Sequence, residues 1–450
     1  MSQPSEDPFP RRLPTEGTGG IDELFMESVL PTVAGSSSET PTVLFLGGPQ
    51  GSGKSSAKNV VAEQLGLRDA FQLEGDDLYD FHPHYQDLVR EHDGDVSLAM
   101  KMCAKDVAVI RGLLREHLRA EGMDAVVIGP FVGPDHIEPS IRDWNDDVRP
   151  YRVQFAYLAV HSAISQLSMV SRHHGALQPG GAGHALLPPL EFHDMGIEEV
   201  PNILENLERT GLADALHVIT RDGVVFSKER DQDGVWHPGA SVREAFLEAR
   251  ERPWDRKTMS FFFEQRTELE MARWPEWGDR LARADAAAAQ AFERAQWRGT
   301  SGQGPLLQML TDPELTEWSG QLGRALGSAR RPDPAPPSLG TEDVIRRLAE
   351  QGAPDEVVAR AKASAREDLH HAQSEAARGR EQAPRLQGQQ EATVAEIGRR
   401  ASLPPARRTA EAVVRQQLRT VPAPTRSQSP AAGMRISLPQ PKHPSSGQSL

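Results

Sequence analysis

The densest chemistry in the sequence is the run Gly48-Pro49-Gln50-Gly51-Ser52-Gly53-Lys54-Ser55, followed by Ser56. It fits the pattern G-x-x-x-x-G-K-[ST], which cradles polyphosphate in backbone N–H groups. Glycines are needed where a Cβ would block a phosphate or where φ is positive. The helix that must follow aims its positive end at the anion. Residues 48–56 are therefore the expected ATP-binding segment. Lys54 is placed to bridge the β- and γ-phosphates, and the Ser55 hydroxyl to ligate Mg²⁺.

A second cluster, Phe71-Gln72-Leu73-Glu74-Gly75-Asp76-Asp77-Leu78-Tyr79-Asp80-Phe81-His82-Pro83, puts three carboxylates just past a short apolar run. Ligands of open α/β sheets bind beyond the carboxyl ends of the strands. A phosphotransferase acting on a hydroxyl needs a carboxylate there as general base. Asp76 and Asp77 both fit by position. The competing reading is a helix N-cap, a common use of Asp before a helical turn.

The elements that must position these residues show an α/β rhythm. Apolar runs at 43–46, 71–73, 125–128, 153–158 and 216–219 predict short buried strands. Segments of helical period at 57–65, 96–120 and 197–207 predict crossover helices. Arg221-Asp222-Gly223 and the run 224–227 predict a hairpin on the sheet edge. The expected fold class is α/β, a P-loop NTPase-type parallel sheet flanked by helices, with a helical, partly disordered C-terminal extension. The expected divisions are a disordered N-terminus at 1–20, a kinase domain at 21–298, a linker at 299–340, a helical extension at 341–420 and a disordered tail at 421–450. Within the extension, helices are predicted over 342–380 and 391–419.

The order of these motifs resembles the zeta toxin family of P-loop kinases. The quoted residues are GGPQGSGKSS, then LEGDDLYDFHP with His82 six positions after Asp76. The S-x-L-x-x-x-x-R pattern of Ser165, Leu167 and Arg172 comes next. His193-Asp194 and the hairpin of 217–236 complete the set. The resemblance covers about residues 20–273. It implies ATP-dependent phosphorylation of the sugar hydroxyl of a nucleotide sugar such as UDP-N-acetylglucosamine. Asp76 would be the base, Lys54 and Arg172 would stabilise the transferring phosphoryl group, and Asp77 and His82 would line the substrate site. It also implies a possible antitoxin partner. This chain departs from the family where the third strand runs into Gly129-Pro130-Phe131-Val132, without the family's Glu, Thr and Arg. Two other readings are an antibiotic-type phosphotransferase with a different acceptor and a nucleotide-binding interaction protein with weak or no catalysis.

Composition bounds the rest. The chain has 450 residues and a net charge of −14. Residues 341–450 hold 17 basic and 12 acidic side chains, so the first 340 carry −19. No Phe, Tyr or Trp follows Trp318, which predicts a boundary. An acidic front argues against nucleic-acid binding by bulk charge. With one cysteine, Cys103, no internal disulfide forms. No apolar run reaches membrane-span length and the first residues lack a signal peptide's apolar region, so a soluble, cytoplasmic protein is expected. Cys103 is expected as a small core residue, and His173-His174 not as a metal pair. The 341–420 segment is a candidate intramolecular inhibitor.

Overall fold

The computed structural model describes residues 9–14, 19–144, 150–178, 187–294, 307–330, 339–351 and 354–420. The expected tail at 421–450 and much of the expected linker lie outside them. Among these residues six strands form one sheet: β1 (Thr42–Gly47), β2 (Phe71–Glu74), β3 (Ala125–Ile128), β4 (Arg152–Leu158), β5 (Ala215–Thr220) and β6 (Gly223–Glu229). Their order is β2-β3-β1-β4-β5-β6. The first five strands are parallel, and only β6 is antiparallel, paired with β5 as the hairpin reading required.

Strands β1, β3, β4 and β5 are buried on both faces, which is why they read as continuous apolar runs, whereas the edge strand β6 alternates. Side chains of β1 split by the two-residue period. Val43 and Phe45 join Val107, Ile110 and Leu114 of the Val96–Glu121 helix in one core. Leu44 and Leu46 join Ala57, Val61, Ile164 and Leu167 in the other. Phe45 stacks on Phe155 at a centroid distance of 4.7 Å, so β1 and β4 are locked in register beneath the phosphate loop.

Residues 1–8 and 15–18 of the expected disordered N-terminus lie outside the described residues, but 9–14 are held to the core. Leu13 is buried, and the backbone N–H groups of Arg12 and Leu13 donate to Asp106. The expected linker contains a helix, Asp312–Ala329, opened by a capping box in which Thr311 and Glu314 satisfy each other's backbone N–H groups.

The extension also divides differently. One helix runs through Asp355–Ser402 with Pro384 inside it, and the break falls at Leu403-Pro404, ahead of a last helix at Pro405–Thr420. The helix continues through the break expected at 381–390 despite Pro384 and Gly388, whereas Pro404 removes a donor and restrains the residue before it, and the helix ends at Ser402. Val414 and Leu418 of the last helix are buried in the second core, against the Arg256–Ala272 and Gly278–Arg294 helices. Within the described residues the aromatic-free stretch therefore packs on the core through its last helix. Lacking aromatics, it is fixed by a few aliphatic side chains together with buried arginines. Arg400 donates to the Leu307 and Leu310 carbonyls at 2.6 and 2.7 Å and pairs with Glu396 and Asp312, both at 2.8 Å.

Candidate phosphate-loop site

Residues 48–53 turn from β1 into the Lys54–Gln64 helix. Gly51 and Gly53 sit at φ of +73° and +100°, where an L side chain is strained. A Cβ on Gly51 would also collide with the Ser165 carbonyl, so the loop lies directly on the Ser162–Leu177 helix. Gly53, as N-cap, offers no side chain to the free N–H groups of the helix start. Ser52 Oγ and Gln50 Oε1 are buried and have no hydrogen-bond partner among the described residues. The Ser52 hydroxyl and the free N–H groups at the helix start are donors that suit an anionic oxygen ligand, whereas Gln50 Oε1 is an acceptor and adds nothing to that fit.

Lys54 opens the helix, and its ammonium donates to the Gly48 and Pro49 carbonyls at 2.9 and 3.1 Å. Burial, with the nearby Arg172 guanidinium as the second cause, pulls its pKa down to about 8. Glu74 and Asp76 act in the opposite sense. Lys54, Arg172, Glu74 and Asp76 thus form one electrostatic group, although they come from three widely separated segments. Arg172 is exposed, as a residue meeting a ligand must be.

Ser55 Oγ donates to Glu74 Oε1 at 2.9 Å, and Lys58 pairs with Glu74 Oε2 at 3.2 Å. Glu74 belonged to the carboxylate run in the sequence, but its partnership with Ser55 shows only when β2 is placed beside the loop helix. Asp76 starts the short turn before Asp77–Phe81 and makes no cap hydrogen bond, so the N-cap alternative does not hold. Its side chain is exposed. Asp77 is exposed too, with its carboxyl pushed up first by desolvation and next by Glu74.

His82 does not join this group. Its side chain is buried, with Nε2 3.0 Å from Asp106 Oδ2 and Nδ1 accepting from the His84 N–H at 3.3 Å. Burial outweighs Asp106 and holds its pKa below the ordinary value, so the ring is neutral at pH 7 with Nε2 the donor. Cys103, a core residue, lies 3.5 Å from Nδ1. The expected substrate contact is replaced by a tie between the Asp76 loop, the Val96–Glu121 helix and the N-terminal segment. A His followed by Pro signals a turn but carries no sign of which way its ring faces.

Ser165 and His193 meet, with Oγ 2.7 Å from Nε2. His193 Nδ1 lies 3.3 Å from Asp194, which pairs with Arg283 at 3.1 Å. Ser165 and His193 are wholly buried, so they join the Arg172 helix to the Leu190–Thr210 helix rather than face a ligand. His173 and His174 pack edge-on against Trp277, at 6.1 and 5.3 Å. Among the described residues no group of three or more His, Cys, Asp or Glu is placed to hold a metal ion. No helix among them is long and apolar enough to cross a membrane.

The family model described as zeta toxin matches residues 29–232. This segment belongs to the zeta toxin family. The zeta toxin domain so defined holds every strand of the sheet and the whole phosphate loop. Toxin zeta of Streptococcus agalactiae is 25% identical over 186 residues, covering 41% of this chain and 62% of the relative. Toxin zeta of Enterococcus hirae is likewise 25% identical, over 190 residues, covering 41% and 63%. The chain thus spans less than two thirds of the length of these curated relatives. Toxin PezT of Streptococcus pneumoniae is 25% identical over 191 residues, covering 41% and 71%. A solved structure from the PezAT chromosomal toxin–antitoxin system of Streptococcus pneumoniae aligns with a TM-score of 0.45 at 18% identity, over 57% of this chain and 98% of that one.

Proposed function

We propose that the zeta toxin domain is an ATP-dependent kinase that phosphorylates a sugar hydroxyl of a nucleotide sugar of the UDP-N-acetylglucosamine type. The observation that carries this reading is the Asp76 carboxylate, exposed, unused as a helix cap and electrostatically coupled to Lys54. A phosphate loop alone fits any nucleotide-binding protein. A free carboxylate beside it is what transfer to an alcohol requires.

In this reading the loop N–H groups and Lys54 bind the ATP phosphates, and Asp76 accepts the proton of the attacking hydroxyl. Lys54 and Arg172 stabilise charge on the transferring group, the electrostatic share of catalysis. Asp77, exposed next to Asp76, faces the acceptor side. The donor set also fits Mg²⁺, since the Ser55 hydroxyl and the Glu74 carboxylate are hard oxygen donors 2.9 Å apart. Such an ion, when bound, neutralises charge on the β- and γ-phosphates. The names of the relatives, Toxin zeta and Toxin PezT, add the proposal that the protein is a toxin, and the family resemblance that of an antitoxin partner.

The test is transfer from labelled ATP to UDP-N-acetylglucosamine and a panel of other nucleotide sugars and small alcohols. Asp76→Asn should lower transfer about 10²–10⁴-fold with ATP still bound, and Lys54→Ala should weaken both. Transfer that survives Asp76→Asn refutes the base. Transfer only to an alcohol outside the sugar panel favours an antibiotic-type phosphotransferase. ATP binding with no transfer to any acceptor favours a nucleotide-binding interaction protein.

A further inference from the structure

A phosphate loop works only if its carbonyls turn away from the ligand while its N–H groups converge on it. Two of those carbonyls are held by one guanidinium here. Arg221 Nε donates to the Ser52 carbonyl at 2.9 Å, and Nη2 to the Gly51 carbonyl at 3.2 Å. Nη2 also reaches Ser168 Oγ at 3.0 Å, on the helix that carries Arg172. The guanidinium fills the space beside the loop so closely that a Cβ on Gly53 would lie 2.8 Å from Nε. A planar fork with fixed donors suits two adjacent carbonyls in a way that a lysine ammonium does not.

Arg221 follows β5 directly and opens the turn into β6. Its Cζ lies 5.2 Å from the ring centroid of Phe261. Phe261 stands on the Arg256–Ala272 helix, beyond the end of the zeta toxin segment at residue 232. That helix is itself held from outside by the last helix of the chain. Arg415 Cζ is 5.6 Å from the Phe263 ring, and Arg266 Nη2 donates to Gln417 Oε1 at 2.7 Å. A continuous line of contacts therefore runs from the last helix through the Phe261 helix and Arg221 to the phosphate loop.

We propose that Arg221 is a positioning residue for the phosphate loop, and that Phe261, from the helix outside the family segment, fixes the guanidinium in place. This rests on the nucleotide-binding reading above. Arg221 touches carbonyls on the side of the loop away from the ligand, so it acts on ATP through the loop and not on the acceptor. The C-terminal helix then supports nucleotide binding rather than blocking it.

The test is ATP affinity of the full chain by calorimetry, beside KM for ATP and for the acceptor. Arg221→Lys keeps the charge and loses the fork, and should weaken ATP about tenfold to hundredfold. KM for the acceptor should stay within about twofold of wild type. Phe261→Leu should weaken ATP about threefold to tenfold, while Phe261→Tyr, which keeps the ring face, should bind as wild type. A folded Arg221→Lys protein with wild-type ATP affinity overturns the inference and leaves the kinase reading standing. Wild-type protein that binds no ATP overturns both. If Arg221→Lys does not fold, equal ATP affinity of Phe261→Leu and Phe261→Tyr overturns the inference alone.

Discussion

Replacing Lys54 by Met should flatten the pH dependence of the ligand-free protein's stability while abolishing polyphosphate binding. The ammonium is held partly buried, beside Arg172, with two carbonyls as its hydrogen-bond partners. Its pKa of about 8 lies well below the ordinary 10.5, so the folded state binds this proton more weakly than the unfolded one. The sign follows from linkage: the charged form costs stability below pH 8, and the cost falls away as pH rises from 8 to 10.5. At about 1.4 kcal/mol per pH unit, the gap is worth about 3 kcal/mol at pH 7 and under about 1 kcal/mol at pH 10. Partial solvent access reduces the first figure to about 1–3 kcal/mol. Methionine keeps the length of the chain without the charge. Met leaves the Gly48 and Pro49 carbonyls without their donor at every pH, so the quantity to compare is the change with pH. The stability of Lys54→Met relative to wild type should fall by about 1–3 kcal/mol between about pH 7 and pH 10, other titrating groups cancelling between the two proteins. ATP binding shows the complementary trend in the wild type. It is strongest below pH 8 and weakens above it by up to about tenfold per pH unit, because polyphosphate needs the cation. A relative stability that stays constant, or that grows with pH, would refute the reasoning.

Glu74→Gln keeps the hydrogen bond from Ser55 but removes a charge, so it should raise the Mg²⁺ concentration for half-maximal transfer about tenfold; an unchanged Mg²⁺ titration counts against a metal role for Glu74. Asp106→Ala leaves His82 and the Arg12 and Leu13 N–H groups without their acceptor, and should cost about 3 kcal/mol in urea unfolding. If its stability matches wild type, the buried tie is unimportant. Arg400→Ala strips the Leu307 and Leu310 carbonyls of a donor and should speed proteolysis in the 307–330 and 403–420 segments at least severalfold; an unaltered cleavage pattern argues against the arginine as their anchor.

The zeta toxin core was legible because its signals are local. Five apolar runs of three to six residues mark strands, four of them buried on both faces, and all five appear in the sheet where the periodicity put them. The phosphate loop was legible because positive φ demands glycine at fixed positions. The helix at Asp312–Ala329 carried a readable signal as well, the Thr311-x-x-Glu314 capping box, masked by the Pro- and Gly-rich composition on either side.

Sequence alone determined which residues can make a phosphate-binding turn, where the strands lie and that a carboxylate run follows β2. The tertiary structure decided which carboxylates serve which partner. Asp76 and Asp77 stay exposed, Glu74 meets Ser55 across the sheet edge, and His82 turns inward to Asp106. It also decided that an arginine-rich stretch without aromatics packs against the core, through buried guanidinium contacts that no periodicity encodes. The physical reason is range. Backbone preferences and strand burial act over a few residues and leave a pattern in the chain. Hydrogen bonds such as those from Arg221 to Ser52, or Arg400 to Leu307, join positions about 90 to 170 residues apart and exist only once the chain has folded.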